Sequence, residues 1–205
     1  MAIETTIRRS GLRTRQRILD AAMLRFSQHS YEETTLREIA ADVGVDVALV
    51  HRSFGSKEEL FTAVLELSFD DGLREAMAAP DLGAALTRHF FTHRRDSSLR
   101  VVDPLHIAIR SLGSERTQPI LQRFVQQIFI APLTERLGAG GEQRAALIVS
   151  AFAGLAILRD VLEVKGLRDD GRNTIQLLLE QIVTTCIAAP GGTIPHDESG
   201  LPEPG

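Results

Sequence analysis

With a single cysteine, Cys186, in 205 residues, the chain has no intrachain disulfide framework, which fits a reducing compartment. No apolar run reaches the roughly 20 residues of a membrane-spanning helix; the most apolar stretch, 145–158, falls short of that length. Arg8 and Arg9 lead into further charge instead of an apolar run, so no secretory leader is expected and a cytoplasmic location is. The period-two alternation and Asn-Gly turns that mark strands and hairpins are missing. So are the G-x-S-x-G elbow, the Walker loop, the dinucleotide fingerprint and paired zinc motifs. The glycine-rich GAGGE at 138–142 follows a helical pattern, not a strand. Cys186 lies on an apolar helix face, where thiols are usually inert. These gaps argue against an enzyme, and no cofactor is implied.

What remains is helical. Heptad-like apolar spacing marks about nine helices, an all-α fold. The first spans about 12–29 with Ile18, Leu19, Ala22 and Phe26 on its inner face. A long fourth helix runs from Ser56 to about Ala78, where Pro80 stops it. Asp81 caps a fifth, to about Arg95, and Asp103-Pro104 opens a sixth that ends near Gly113. The seventh covers about 117–137 with a kink expected at Pro132. Two last helices, about 142–165 and 172–188, flank a turn at Gly166–Gly171. Helix 142–165 is apolar nearly all round, which requires cover on every side. Its Ala146, Ser150 and Gly154 form a small-residue stripe, and Ile175, Leu178, Leu179, Ile182 and Cys186 share one face of the last helix. Beyond Pro190 the composition is proline, glycine and charge, so residues 189–205 read as a disordered tail.

Residues 35–57 carry the most specific pattern. Thr35 with Glu38 spells a capping box, and Leu36, Ile39, Ala40 and Val43 repeat at helical spacing. Gly44 permits the positive φ that ends such a helix, and Asp46 caps the next. Val45, Val50 and Phe54 suit its inner face, and Ser56 with Glu59 opens the helix after it. Two short helices across a glycine turn form a helix-turn-helix, whose second helix usually enters the major groove of DNA. On that helix Val47, Ala48, Leu49, His51 and Arg52 are the candidates for the groove. Val47, Ala48 and Leu49 would meet thymine methyl groups; His51, Arg52 and Arg37 would supply hydrogen bonds to bases. Lys57, with the N–H groups of its helical turn, suits a phosphate, while Thr35 is foremost a cap with phosphate contact second.

Charge distribution agrees with that reading although the net charge of −4 does not. Residues 1–57 hold nine Lys/Arg against seven Asp/Glu, leaving 14 against 20 for the remainder. Within residues 1–17 five arginines face one glutamate, a cationic arm suited to phosphates.

The run Thr14-Arg15, Ile18-Leu19-Asp20-Ala21-Ala22, Phe26, Tyr31, Thr35, Arg37, Ile39-Ala40, Gly44-Val45, Phe54 and Ser56-Lys57-Glu58-Glu59-Leu60 resembles the N-terminal domain of the tetracycline-repressor (TetR-like) family across residues 12–62. This sequence departs from the family where His51 stands for the usual Tyr, Ser53 for a His or Tyr, and Asp46 for a frequent Ser. His51 keeps a planar ring with a donor; Ser53 is shorter than a side chain that spans to a phosphate.

The resemblance implies an arm and DNA-binding domain over 1–55 and a helical effector-binding and dimerisation domain over 56–188. It also implies a homodimer through the last two helices, about 142–188, which presents two reading helices to a double-stranded, pseudo-palindromic operator. A small-molecule effector, unidentified, would release a repressor by favouring its DNA-incompetent form. By analogy the effector pocket would draw on Phe90, Phe91, His106, Phe124, Ile128, Phe129 and Phe152, with Arg110 and Arg159 as charges for an anionic group. Phenylalanines at such spacings also serve as plain core, and the last two helices could equally complete the monomer. His89 and His93 stand at i, i+4, but no Cys and no metalloprotease Glu accompany them, so no metal is expected. A helical enzyme, or an interaction module without DNA binding, are the alternatives.

Overall fold

The computed structural model describes residues 2–67, 71–95, 104–168 and 171–190; residues 2–10, 93–95 and 104–106 are described by backbone alone. Among the described residues there are helices and no strand. Helix α1 runs from Ala2 to Gln28, ten residues earlier than the apolar spacing indicates. Residues 2–11 contain no proline to break the backbone, and the expected arm is a helical extension of α1. Helices α2 (Leu36–Val43) and α3 (Val47–Phe54) follow. The stretch read as one helix over 56–78 contains α4 (Lys57–Leu67) and α5 (Asp71–Ala78), with 68–70 outside the described residues. Helix α6 covers Leu82–Arg95, its first turn capped by Asp81, and α7 covers Pro104–Ser111.

Helix α8 (Gln118–Val125) widens into a π turn at 126–130 and continues as α9 (Ala131–Leu137). Pro132 has no N–H to donate, and the wide turn just before it is where the ladder adapts. Helix α10 (Gly141–Ala156) ends in a second π turn at 157–161 and a short 3₁₀ turn at 165–167, so it stops short of the expected 165. Helix α11 is Thr174–Ala188, and residues 191–205 lie outside the described ones.

Two apolar clusters organise these elements. The head cluster joins α1–α4 around Ile18, Phe26, Tyr31, Ile39, Val50, Phe61 and Val64. Phe26 stacks on Tyr31 at 6.0 Å and meets Phe61 edge-on at 5.0 Å. Ile107 from α7 and Leu121 from α8 are buried in this same cluster, so α7 and α8 are attached to the head by packing. Between the loops, the Ser114 hydroxyl donates to Glu32 at 2.6 Å. The body cluster joins α5, α6, α9, α10 and α11 around Leu82, Leu86, Leu133, Ile148, Leu179 and Val183. Arg144 fastens it: its guanidinium donates to the carbonyls of Leu137, Ala139 and Gly140 after α9, and of Ile187 and Ala189 at the end of α11. Those of Leu137 and Ile187 belong to last turns, whose carbonyls a helix leaves without an intrahelical partner.

On α11 the structure divides the face expected to act as one. Leu179 and Val183 are buried in the body cluster, with Cys186 packed against it. Leu177, Leu178 and Ile182 instead stand in solvent at 50% exposure or more, as does Leu147 on α10.

Candidate nucleic-acid interface

The helix-turn-helix is built by local chemistry at each joint. Thr35 accepts from the Glu38 N–H at 3.3 Å, and Glu38 accepts from the Thr35 N–H at 2.9 Å, the capping box the spacing predicts. Gly44 takes φ 71°, ψ 40°, and its N–H reaches the carbonyls of Ala40 and Ala41. Asp46 accepts from the Ala48 N–H at 2.7 Å and starts α3. Ser56 and Glu59 form the second capping box, at 2.9 and 3.0 Å. Each bond closes a helix end that would otherwise leave N–H or C=O groups bare.

Contacts from α1 then fix the pair of helices. Arg17 donates to the Val43 carbonyl at 2.7 Å, at the C-terminal end of α2. Arg25 grips Asp42 with two hydrogen bonds, at 2.6 and 2.9 Å, and lies 3.3 Å from Glu38. Those hydrogen bonds hold the Asp42 carboxyl below the ordinary aspartate range; the Thr35 hydroxyl and N–H do the same for Glu38. Arg15 stacks on the Phe54 ring at 4.4 Å. Three of the arginines that give this region its positive charge therefore brace the motif. Sequence spacing offered no sign of this, because their partners lie 13 or more residues away.

The side chains of α3 divide into two sets. Val50 and Phe54 are buried, and Val47 packs half-buried against the head cluster beside Val45. Val47 thus turns inward, away from the position the groove reading gave it. Ala48, His51 and Arg52 are exposed, and Leu49 is half-buried. The Ser53 hydroxyl donates to the Leu49 carbonyl at 2.8 Å. His51 Nδ1 lies 3.0 Å from the Gly55 carbonyl oxygen. Arg37, at the head of α2, is exposed like Arg52, and neither makes an ion pair among the described residues. Thr35 is exposed, with its hydroxyl engaged in the cap.

Lys57 is placed differently from a solvated phosphate contact. Its ammonium lies over the Tyr31 ring, 4.0 Å from the centroid. Burial lowers its pKa, opposed by the charges of Glu32 and Glu58. Tyr31 is itself buried beside Glu58, and burial first, then that carboxylate, drives its hydroxyl well above the ordinary tyrosine value. Reaching a phosphate would cost Lys57 this stacking.

The residues proposed for an effector fall in two places. Phe90, Phe91 and Phe152 cluster in the body, with ring centroids 5.3 and 5.2 Å apart from Phe90. The Arg159 guanidinium stacks on Phe90 and Phe91 at 5.1 and 4.8 Å and pairs with Asp160 at 2.8 Å. Phe124 meets Phe129 edge-on at 5.7 Å but packs against the head cluster, and Ile128 is half-buried in the π turn. Arg110 is exposed; its charge adds to the Ser30 hydrogen bonds that lower the Glu33 pKa. Four of the candidates therefore converge in the body, while Phe124 packs with the head. The side chains of His93 and His106 lie outside those described; His89 is half-buried.

Comparison with known proteins supplies the context for this geometry. Residues 18–64 match the family described as bacterial regulatory proteins, tetR family, and residues 81–187 match the tetracyclin repressor-like C-terminal domain. The chain is 35% identical over 65 residues to the HTH-type transcriptional regulator BetI of Agrobacterium fabrum, 32% of each protein. It is 44% identical over 55 residues to the HTH-type transcriptional regulator AcrR of Shigella flexneri, 27% of this chain and 26% of that one. These matches span about a third or less of the curated relatives' length. The fold is similar to that of a TetR-family regulator from Streptomyces coelicolor A3, with a TM-score of 0.61 at 27% identity, over 87% of this chain and 96% of the other. A second regulator from Streptomyces coelicolor shares the fold at 22% identity, with a TM-score of 0.50.

Proposed function

This chain belongs to the tetR family of bacterial regulatory proteins, and from that premise we propose that it is a sequence-specific, DNA-binding transcriptional regulator that represses from a pseudo-palindromic operator. The observation that carries the proposal is the division of α3. Val47, Val50 and Phe54 anchor it, leaving Ala48, His51 and Arg52 exposed on a helix held from three sides. A reading helix needs that combination, because base contacts discriminate only when the backbone behind them does not yield. Arg52 and Arg37 supply donors for base edges or phosphates, and Leu49 and Ala48 offer apolar contact to thymine methyl groups. Lys57, Thr35 and Ser53 take the flanks, with their hydroxyls and ammonium already engaged inside the head.

The functional unit we propose is a homodimer joined along α10 and α11. Leu147, Leu177, Leu178 and Ile182 are exposed on these two helices, and apolar surface of that extent marks an interface. One short helix contacts few bases; two-fold symmetry doubles the reading. A small molecule seated by Phe90, Phe91, Phe152 and Arg159 would act as effector, with α7 and α8, packed into the head cluster, as the route of coupling. Among the described residues no helix is long and apolar enough to cross a membrane, and a cytoplasmic location suits a regulator of transcription. We read the chain as a regulator, not an enzyme.

Gel shifts with DNA from upstream of the gene, across a salt series, test the reading. Affinity should fall steeply with rising salt while a sequence preference persists. Salt-independent binding, or none, would favour an interaction module. Leu49→Ala should lower discrimination at a T·A step; an equal loss on every sequence would contradict the methyl contact.

A further inference from the structure

We infer that His51 reads the operator as a hydrogen-bond acceptor, taking its hydrogen from the amino group of an adenine or a cytosine. The inference rests on the DNA-binding reading above and adds the polarity of one contact. His51 Nδ1 lies 3.0 Å from the backbone carbonyl oxygen of Gly55. A carbonyl oxygen can only accept, so Nδ1 carries the proton. In a neutral imidazole the other nitrogen, Nε2, then bears a lone pair and no hydrogen. The residue is exposed on α3, and its own chain has taken up its one donor.

This determines what the side chain can meet on DNA. Phosphate oxygens offer no hydrogen, so a neutral His51 has nothing to give them. In the major groove the donors are the adenine N6 amino group and the cytosine N4 amino group; guanine and thymine present acceptors at O6, N7 and O4. An imidazole lone pair is also an uncharged acceptor, free of the repulsion a carboxylate meets near phosphates. Arg52, the next residue and likewise exposed, carries donors only.

Selection of binding sites from a randomised duplex pool, with the full-length protein and its His51→Phe and His51→Gln variants, tests this. The native protein should enrich one base pair at a position of each half-site that depends on His51. His51→Phe, which keeps a planar ring without nitrogens, should lose that preference and no other, and His51→Gln, which keeps an acceptor, should retain it. Removing only the amino group from the selected base, as purine for adenine or the 4-deamino analogue for cytosine, should weaken native binding about fivefold and His51→Phe binding less than about twofold. Every base pair shows one such amino group in the major groove, so the deaminated duplex decides: native binding that does not weaken when the amino group is removed at the base pair His51 controls overturns the inference. A uniform loss across all sequences in His51→Phe also overturns it, in favour of a backbone contact. A pool that never enriches with the native protein overturns the DNA-binding reading itself, and this inference with it.

Discussion

The head and the last two helices of the body handle their apolar surface in opposite ways. In the head, Phe26, Tyr31, Phe61 and Val50 are fully buried, and side chains from Thr35, Asp46 and Ser56 close the helix starts. In α10 and α11, Leu147, Leu177, Leu178 and Ile182 stand at 50–60% exposure. The first region is finished within one chain; the second is not. A reading surface must hold its shape before DNA arrives, because reordering at that moment would subtract from affinity. The seam proposed along α10 and α11 would be covered only by a second copy, and its exposed apolar side chains would supply the driving force.

The largest blow to the finished side is Phe26→Ala. It removes the ring that meets both Tyr31 and Phe61 and should destabilise the head by about 3–5 kcal/mol, seen in urea unfolding as a lower midpoint and in gel shifts as lost binding. If binding survived with that loss, the rigid-head argument would fail. On the unfinished side, Ile182→Glu should leave the fold intact and weaken the proposed dimer by about 2–5 kcal/mol. Sedimentation would show monomer where the native chain is dimeric, and an unchanged dimer would remove α11 from the seam.

Smaller changes sharpen the contrast within the head. Gly44 and Gly55 both have positive φ, at 71° and 81°. An added Cβ at Gly44 meets open space, whereas at Gly55 it meets the Glu59 carboxylate of the second capping box. Gly44→Ala should therefore cost about 1–2 kcal/mol for the left-handed backbone alone, and Gly55→Ala more; calorimetry that ranked them in reverse would refute this. The smallest effect is that of pH. Asp42 is depressed by Arg25, so its contribution is present above the ordinary carboxylate pKa and is lost as pH falls through the folded value. The pair is partly exposed, so the loss should stay under about 1 kcal/mol and appear below about pH 4. Asp42→Asn should flatten that part of the stability profile; a profile unchanged by the substitution would show that the pair contributes nothing.

Much of the head was legible along the chain because its joints are local. A capping box spans three residues, and Gly44 answers a backbone angle. The body was less so. The π turns at 126–130 and 157–161 leave no mark in apolar spacing. The exposed Leu178 and Ile182 and the buried Leu179 all look like one apolar face on a helical wheel. Val47 shows the same ambiguity in the reading helix, where one position decides between core and groove. Of the residues expected around an effector, Phe90, Phe91, Phe152 and Arg159 converge while Phe124 joins the head, a partition no periodicity could foretell.

The order of residues by itself determined the helix-turn-helix, its caps and its glycine turn, since these depend on neighbours a few positions apart. Tertiary structure decided which arginines brace the motif and which stay exposed. It bound Arg25 to Asp42 and laid Lys57 on Tyr31. Charges are shared among candidates that sequence spacing ranks equally, and only proximity in the fold assigns their partners.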